Sequence, residues 1–290
     1  MMPFCDALTV SMPVEAWSDV RRSLVAEIDA IGLSVEVDQD RRTLWRALDG
    51  AGIVRSEVVA GVRTVYASGG VCGALRASGR WSAYLGVLGS APHRVTRLDA
   101  TVDVHNDAPP VLDAVAQLAR AGGVSFTRKA VRPRDVTSLL ALRFDGMLSG
   151  TLYVGARRAS VRLCLYDKRK ERVDRGLPDV GPLTRYELRL TSETGVTLRD
   201  AHDPASVFWH YLPVTLLSPP PGVVPWAAGA LGYDVDRPPP LSAAERLHRR
   251  LQDSAEFAAL VRLASEFPGG LDYLCAQARR AGARHASPVE

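Results

Sequence analysis

RVTRLDATVDV (residues 94–104), SVRLCLYDK (160–168) and TRYELRL (184–190) decide how this chain is read. Side chains on a strand point alternately to the two faces of a sheet. In the first segment Leu98, Ala100, Val102 and Val104 take one face, and Arg97, Asp99, Thr101 and Asp103 the other. In the second, Val161, Leu163 and Leu165 oppose Arg162, Cys164, Tyr166 and Lys168. In the third, Tyr186, Leu188 and Leu190 oppose Arg185, Glu187 and Arg189. Clean alternation of this kind predicts an antiparallel sheet with one packed and one open face, because a sheet covered on both faces reads as continuous apolar runs.

Working outward, further strands are expected over 138–145 and 149–155, with a helix over 109–121 opened by Pro109-Pro110 and closed by Gly122-Gly123. Upstream, Trp17, Val20, Leu24 and Ile28 recur at helical spacing within 14–31, and Gly32 ends the run. A short strand follows at 33–37, a hairpin turns at Ala60-Gly61 within 57–67, and 81–88 reads as another strand. After residue 205 the composition changes: two proline runs, 219–221 and 238–240, precede Ser242-x-x-Glu245, a capping box that opens a helix, and a second helical segment runs near 270–281. The expected fold is α+β, an antiparallel sheet with helices on one face and a C-terminal helical extension. Three parts are expected: 1–92, an α+β part suited to DNA recognition; 93–205, the sheet with the polar constellation; and 206–290, connectors and helices.

Composition narrows the chemistry. The chain has 290 residues, and 47% of them are apolar, enough for a sizeable core. No apolar run is long enough to span a membrane. The start carries no basic secretory n-region, so a cytoplasmic protein is expected. Cys5, Cys72, Cys164 and Cys275 form no CxxC pair, which argues against zinc and disulfides and for buried thiols. The net charge is +4, and of 36 basic residues only Lys129, Lys168 and Lys170 are lysine. Arginine matches phosphate with a bidentate fork, although arginine richness also follows from GC-rich coding. The turn at Gly155 is followed by no GK[ST], so ATP use is not expected.

If the three strands share a sheet, one face gathers Asp99, Asp103 and Glu187 around Tyr166. Close carboxylates call for a cation, and an all-oxygen set suits Mg²⁺ or Mn²⁺, which polarises a phosphodiester. A tyrosine hydroxyl is a weak nucleophile that a cation can activate, and Lys168 lies two residues on. Arg157, Arg158, Arg162, Arg169, Lys170, Arg185 and Arg189 surround the tyrosine as candidate phosphate contacts. Polar residues on a sheet face are more often simply solvated, and spacing alone leaves that alternative open.

The ordered set TRLDATVDV, GTLYVGARRASVRLCLYDKRKER and TRYELRL resembles the replication initiation factor family, which includes initiators of small staphylococcal rolling-circle plasmids and filamentous-phage replication proteins. The resemblance covers roughly 94–191. It implies that Tyr166 stands at the nicking tyrosine, that Lys168 is the lysine of that motif, and that Asp99 and Glu187 hold the metal with Asp103 as a third ligand. It also implies a rolling-circle initiator that cuts one strand through a 5′-phosphotyrosine. Its partners would be double-stranded origin DNA and single-stranded DNA, a second copy of itself and a host helicase, with no membrane. Asp167 departs from the Asn frequent after that tyrosine. The His-hydrophobic-His motif of the other rolling-circle class is absent from the sequence. The alternative is a DNA-binding regulator that keeps the fold without cutting.

Overall fold

The computed structural model describes residues 2–39, 42–47, 52–59, 61–126, 131–144, 146 and 148–227, with the isolated helical positions 272 and 276. The chain divides into two compact units, Met1–Val235 and Asp236–Glu290. Apart from those two positions, the helices expected over 242–263 and 270–281 lie outside the described residues, as does Cys275.

Among its described residues the first unit is built on ten strands: β1 (Phe4–Pro13), β2 (Leu33–Gln39), β3 (Arg42–Ala47), β4 (Ile53–Val59), β5 (Val62–Ala67), β6 (Arg94–Val104), β7 (Val136–Leu142), β8 (Leu148–Val154), β9 (Val161–Asp167) and β10 (Thr184–Thr191). Among the described residues seven α-helices accompany them: α1 (Trp17–Asp29), α2 (Gly69–Ala77), α3 (Trp81–Gly89), α4 (Ala108–Arg120), α5 (Lys168–Asp174), α6 (Leu198–His202) and α7 (Ala205–Tyr211). The strands form one sheet in the order β2-β3-β4-β5-β1-β6-β10-β9-β8-β7, every pairing antiparallel. The fold is therefore α+β, as the alternation predicts.

Register explains how one face becomes core. Three rows run across the central strands: Leu8–Leu98–Leu190–Val161, Ala100–Leu188–Leu163–Val154 and Val102–Tyr186–Leu165–Leu152. All twelve side chains are buried. They belong to one hydrophobic cluster with Val20, Leu24 and Ile28 of α1, Leu112, Val115 and Ala119 of α4, and Val207 and Phe208 of α7. At about 25 cal/mol per Å² of apolar surface, burial of each leucine or valine contributes roughly 1.5–3 kcal/mol. The caps are as read: Gly32 and Gly122 end α1 and α4 with φ of 76° and 79°, a backbone that glycine adopts without penalty. The hairpin expected within 57–67 also stands, since Val59 pairs directly with Val62.

One element differs. Residues 81–88 are not a strand but most of α3. Trp81, Tyr84, Leu85 and Leu88 fall on one helical face and are its buried residues, so the 3.6-residue period outweighs the aromatic, strand-like composition. Trp81 stacks on Tyr84 and donates its indole N–H to the Ala201 carbonyl. No helix among the described residues is long and apolar enough to cross a membrane.

Candidate active site

The polar face of the central strands carries three rows of its own: Asp99–Arg189–Arg162, Thr101–Glu187–Cys164–Tyr153 and Asp103–Arg185–Tyr166–Thr151–Leu139. This face is not the open, solvated surface that alternation alone suggests. Asp99, Thr101, Arg185 and Glu187 are all buried. Long arginine side chains lie across it, and α5 forms one wall of a cleft of about 610 Å³. Tyr166, Asp99, Glu187, Arg189 and Tyr153 line that cleft together, with Lys170 and Glu171 of α5 at the rim.

The cleft also holds a residue that the sequence reading missed. Asp6 lines it from β1. Between β1 and β6 the register slips from Cys5↔Ala100 to Ala7↔Asp99, so Asp6 is the extra residue of a β-bulge. Bulges re-aim a side chain, and this one puts an acid from the N-terminal strand beside strands far away in sequence. Gly69, at the start of α2, makes room: a Cβ there would come within 2.8 Å of an Asp6 carboxylate oxygen. A single charged residue in the otherwise uncharged FCDALTV run was the available signal.

Arg185 organises the tyrosine. Its Nε and Nη2 donate to both oxygens of Asp103 at 2.6 and 2.7 Å, and its Nη1 donates to Asp6 at 2.9 Å. The same Nη1 reaches the Tyr166 hydroxyl at 3.5 Å. Burial works against the charge of Arg185, but Asp103, Tyr166 and Asp6 raise its pKa on balance, so it is a permanent cation. Burial drives the Tyr166 phenol well above its ordinary value; Arg185 pulls it down, while Glu187, Asp6 and Glu171 push it further up. With these neighbours alone the phenol stays protonated at neutral pH, and additional positive charge is needed to favour its anion.

The acids fall into two groups. Asp99 is held by Arg97, whose Nε donates at 2.8 Å and whose Nη2 takes the second oxygen. Arg189 bridges Asp99 at 3.4 Å and Glu187 at 3.3 Å. Burial, with repulsion from Asp99 and Asp6, pushes the Glu187 carboxyl up to about 8, against the pull of Arg189. Asp103, by contrast, lies four residues from Asp99 along β6, about 13 Å at the rise of a strand, and is tied to Arg185. The structure therefore brings Asp99, Glu187 and Tyr166 to one cleft and sets Asp103 apart. Among the described residues, no three His, Cys, Asp or Glu side chains stand together as a ready-made metal site.

The basic residues also divide. Lys168 is not on the strand but opens α5, where it pairs with Glu171; its Nζ lies 5.8 Å from the Tyr166 ring centre. Arg169 pairs with Asp179 at 2.7 Å, and Lys170 pairs with Asp174. Arg157 and Arg158 are exposed on the turn between β8 and β9. Arg162 lies over the Tyr153 ring at 4.2 Å. It is four residues from Tyr166 on β9, about 13 Å along the strand. Cys5, Cys72 and Cys164 are buried thiols. Burial and the nearby Glu187 push the Cys164 thiol up to about 12, so it is inert.

The sequence pattern of this segment has a counterpart. Residues 93–201 match the replication initiation factor family. The matched span contains the three strands that carry Asp99, Tyr166 and Glu187, so the resemblance read from the motifs stands. No curated protein sequence matches the chain. Among solved structures, the chain is similar to the rolling circle replication initiator protein from Geobacillus stearothermophilus. Identity is 15%, coverage 66% of this chain and 74% of that one, and the TM-score 0.43.

Proposed function

We propose that this protein initiates rolling-circle replication by nicking and closing one DNA strand, with Tyr166 as nucleophile. The observation that carries this reading is the convergence of Tyr166, Asp99 and Glu187 at one cleft, with Arg185 against the tyrosine hydroxyl, within the segment that matches replication initiation factors. In the cutting step the Tyr166 Oη attacks phosphorus. The bond to the 3′ oxygen breaks, a 5′-phosphotyrosine forms, and the tyrosine proton leaves so that the departing oxygen can become a 3′-OH. The link conserves the phosphodiester bond energy, so the reverse reaction closes the strand. Arg185 orients the phenol and offers the positive charge nearest its oxygen.

A hard cation fits this cleft in part. Asp99 and Glu187 fit as a pair, because both carboxylates are buried, line one cleft and share Arg189; burial first, and then repulsion from Asp99 and Asp6, raises the Glu187 carboxyl, and a cation would relieve both costs. Asp6 is the nearest further carboxylate, and Asp103 does not join them. When bound, Mg²⁺ or Mn²⁺ would supply Lewis-acid polarisation of the phosphate and favour the phenolate. Arg97 and Arg189 hold the two acids meanwhile. Arg157, Arg158, Arg169 and Lys170 remain candidate contacts for origin DNA, and Lys168 a secondary cation at the tyrosine. A homodimer working with a host helicase belongs to the same reading. The test is incubation of the protein with supercoiled origin plasmid and Mn²⁺. Open circles with protein bound covalently at a 5′ end are expected; intact supercoils with every divalent metal tried would leave a DNA-binding regulator instead.

A further inference from the structure

Arg162 is a cation without a counter-ion among the described residues. Among the described residues it makes no ion pair, and its Nε is buried with no hydrogen-bond acceptor. Its register partner across β9 and β10 is Arg189, another arginine. Burial lowers its pKa first, and repulsion from Arg189 and from Arg157 lowers it further, against a weaker pull from Tyr153. A buried donor left unpaired is costly, so this arrangement is unfavourable unless something anionic completes it.

The local fold holds the arginine in place. Its guanidinium lies 4.2 Å from the centre of the Tyr153 ring. Gly155, with φ of 108°, lies beside it; a Cβ there would stand 3.3 Å from the Val161 carbonyl oxygen and 3.6 Å from the Arg162 Cγ. Tyr153 and Arg189 line the same cleft as Tyr166. A stacked Arg–Tyr pair beside a second arginine matches what a single strand offers, a phosphate and an unpaired base face. Duplex DNA keeps its base faces covered.

We propose that Tyr153, Arg162 and Arg189 form a nucleotide subsite for single-stranded DNA. Arg162 takes a backbone phosphate a few nucleotides from the one cut, and the neighbouring base extends the Arg162–Tyr153 stack. The subsite positions the strand across the cleft while taking no part in bond making; it rests on the reading of Tyr166 as nucleophile only for what it positions. Its chemistry separates the two roles: Arg185 serves the tyrosine, and Arg162 serves the strand.

The test uses the full chain and a fluorescent single-stranded oligonucleotide of the origin, titrated in EDTA at several salt concentrations, with a matching duplex as control. Arg162→Gln should weaken single-strand binding roughly tenfold or more and reduce the salt slope by about 0.7, the value for one phosphate contact on a single strand. Tyr153→Leu should weaken it similarly with the slope unchanged, and Tyr153→Phe, which keeps the ring, should restore it. With Mn²⁺, both damaging variants should raise KM for adduct formation and leave kcat within a few-fold of wild type. Loss of single-strand affinity in the variants supports the subsite even if the wild type forms no adduct, in which case only the nicking reading falls. Unchanged affinity and salt slope in variants that melt like wild type overturn the subsite even if adducts form normally.

Discussion

Replacing Glu187 with glutamine should make the metal-free protein more stable, and increasingly so as pH rises. Glu187 is buried among Asp99, Asp6, Cys164 and the guanidinium of Arg189, with Arg97 beyond Asp99. Its carboxyl is raised from an ordinary 4.5 to about 8. The sign follows from linkage. Between those values the unfolded chain has released the proton while the folded chain keeps it, so stability is complete at low pH and is lost as pH climbs toward 8. Each pH unit across that window is worth about 1.4 kcal/mol. The ceiling is therefore on the order of 5 kcal/mol, and roughly 2–4 kcal/mol where Asp99 shares the proton. At about 2–4 °C per kcal/mol for a unit of this size, the glutamine variant should melt roughly 5–15 °C above wild type at pH 8 and within a degree or two of it near pH 4.5. Thermal melts in EDTA from pH 4.5 to 8.5 read this directly. Mn²⁺ should then raise the wild-type Tm at pH 8 by binding only the folded state, and raise the variant less. Parallel pH profiles for the two proteins would refute the assignment of Glu187 as a strained, cation-seeking carboxyl.

Tyr166→Phe should abolish covalent adduct formation and shift stability by less than about 1 kcal/mol, because among the described residues its hydroxyl meets only Arg185, at 3.5 Å; an adduct on gel electrophoresis would disprove the nucleophile. Arg185→Met leaves Asp103 and Asp6 facing each other without their buried counter-ion, so chemical denaturation should show a loss of about 3–5 kcal/mol. Gly150→Ala would place a Cβ 1.9 Å from the Leu139 carbonyl oxygen, forcing β7 away from β8. Faster amide exchange along Val136–Leu142 is expected, and unaltered protection would show that the hairpin adapts. A chain ending at Val235 keeps the first compact unit whole and should retain cooperative unfolding and cutting of single-stranded origin DNA, measured by calorimetry and adduct formation.

The face of a residue was legible in the sequence; its position along that face was not. Parity alone put Tyr166, Glu187 and Asp99 on one side of the sheet, and the leucine and valine rows on the other, because side-chain direction in a strand depends only on counting by two. Parity also put Asp103 with Asp99, and there it stops helping. Four residues of strand separate them by about 13 Å, and which acid meets Glu187 depends on the row that β6 and β10 share. The register pairs Glu187 with Thr101, between the two aspartates, and only Asp99 ends in the same cleft. Asp6 was hidden for a related reason. A bulge adds one residue and inverts the parity rule locally, and β1 reaches β6 only because the chain between them folds into four strands and three helices first. The strand reading of 81–88 failed on composition: Trp81, Tyr84 and Leu85 suit either structure, Gly86 and Gly89 weaken a helix, and the burial of Leu88 against the same core decides the period. Side-chain type thus names the chemistry and parity names the face, while register, set by pairings between distant strands, decides which groups meet. That is why Arg162, on the same strand and face as Tyr166, meets Arg189 and the Tyr153 ring instead, and why Arg185, the register partner of Tyr166, is the arginine that touches it.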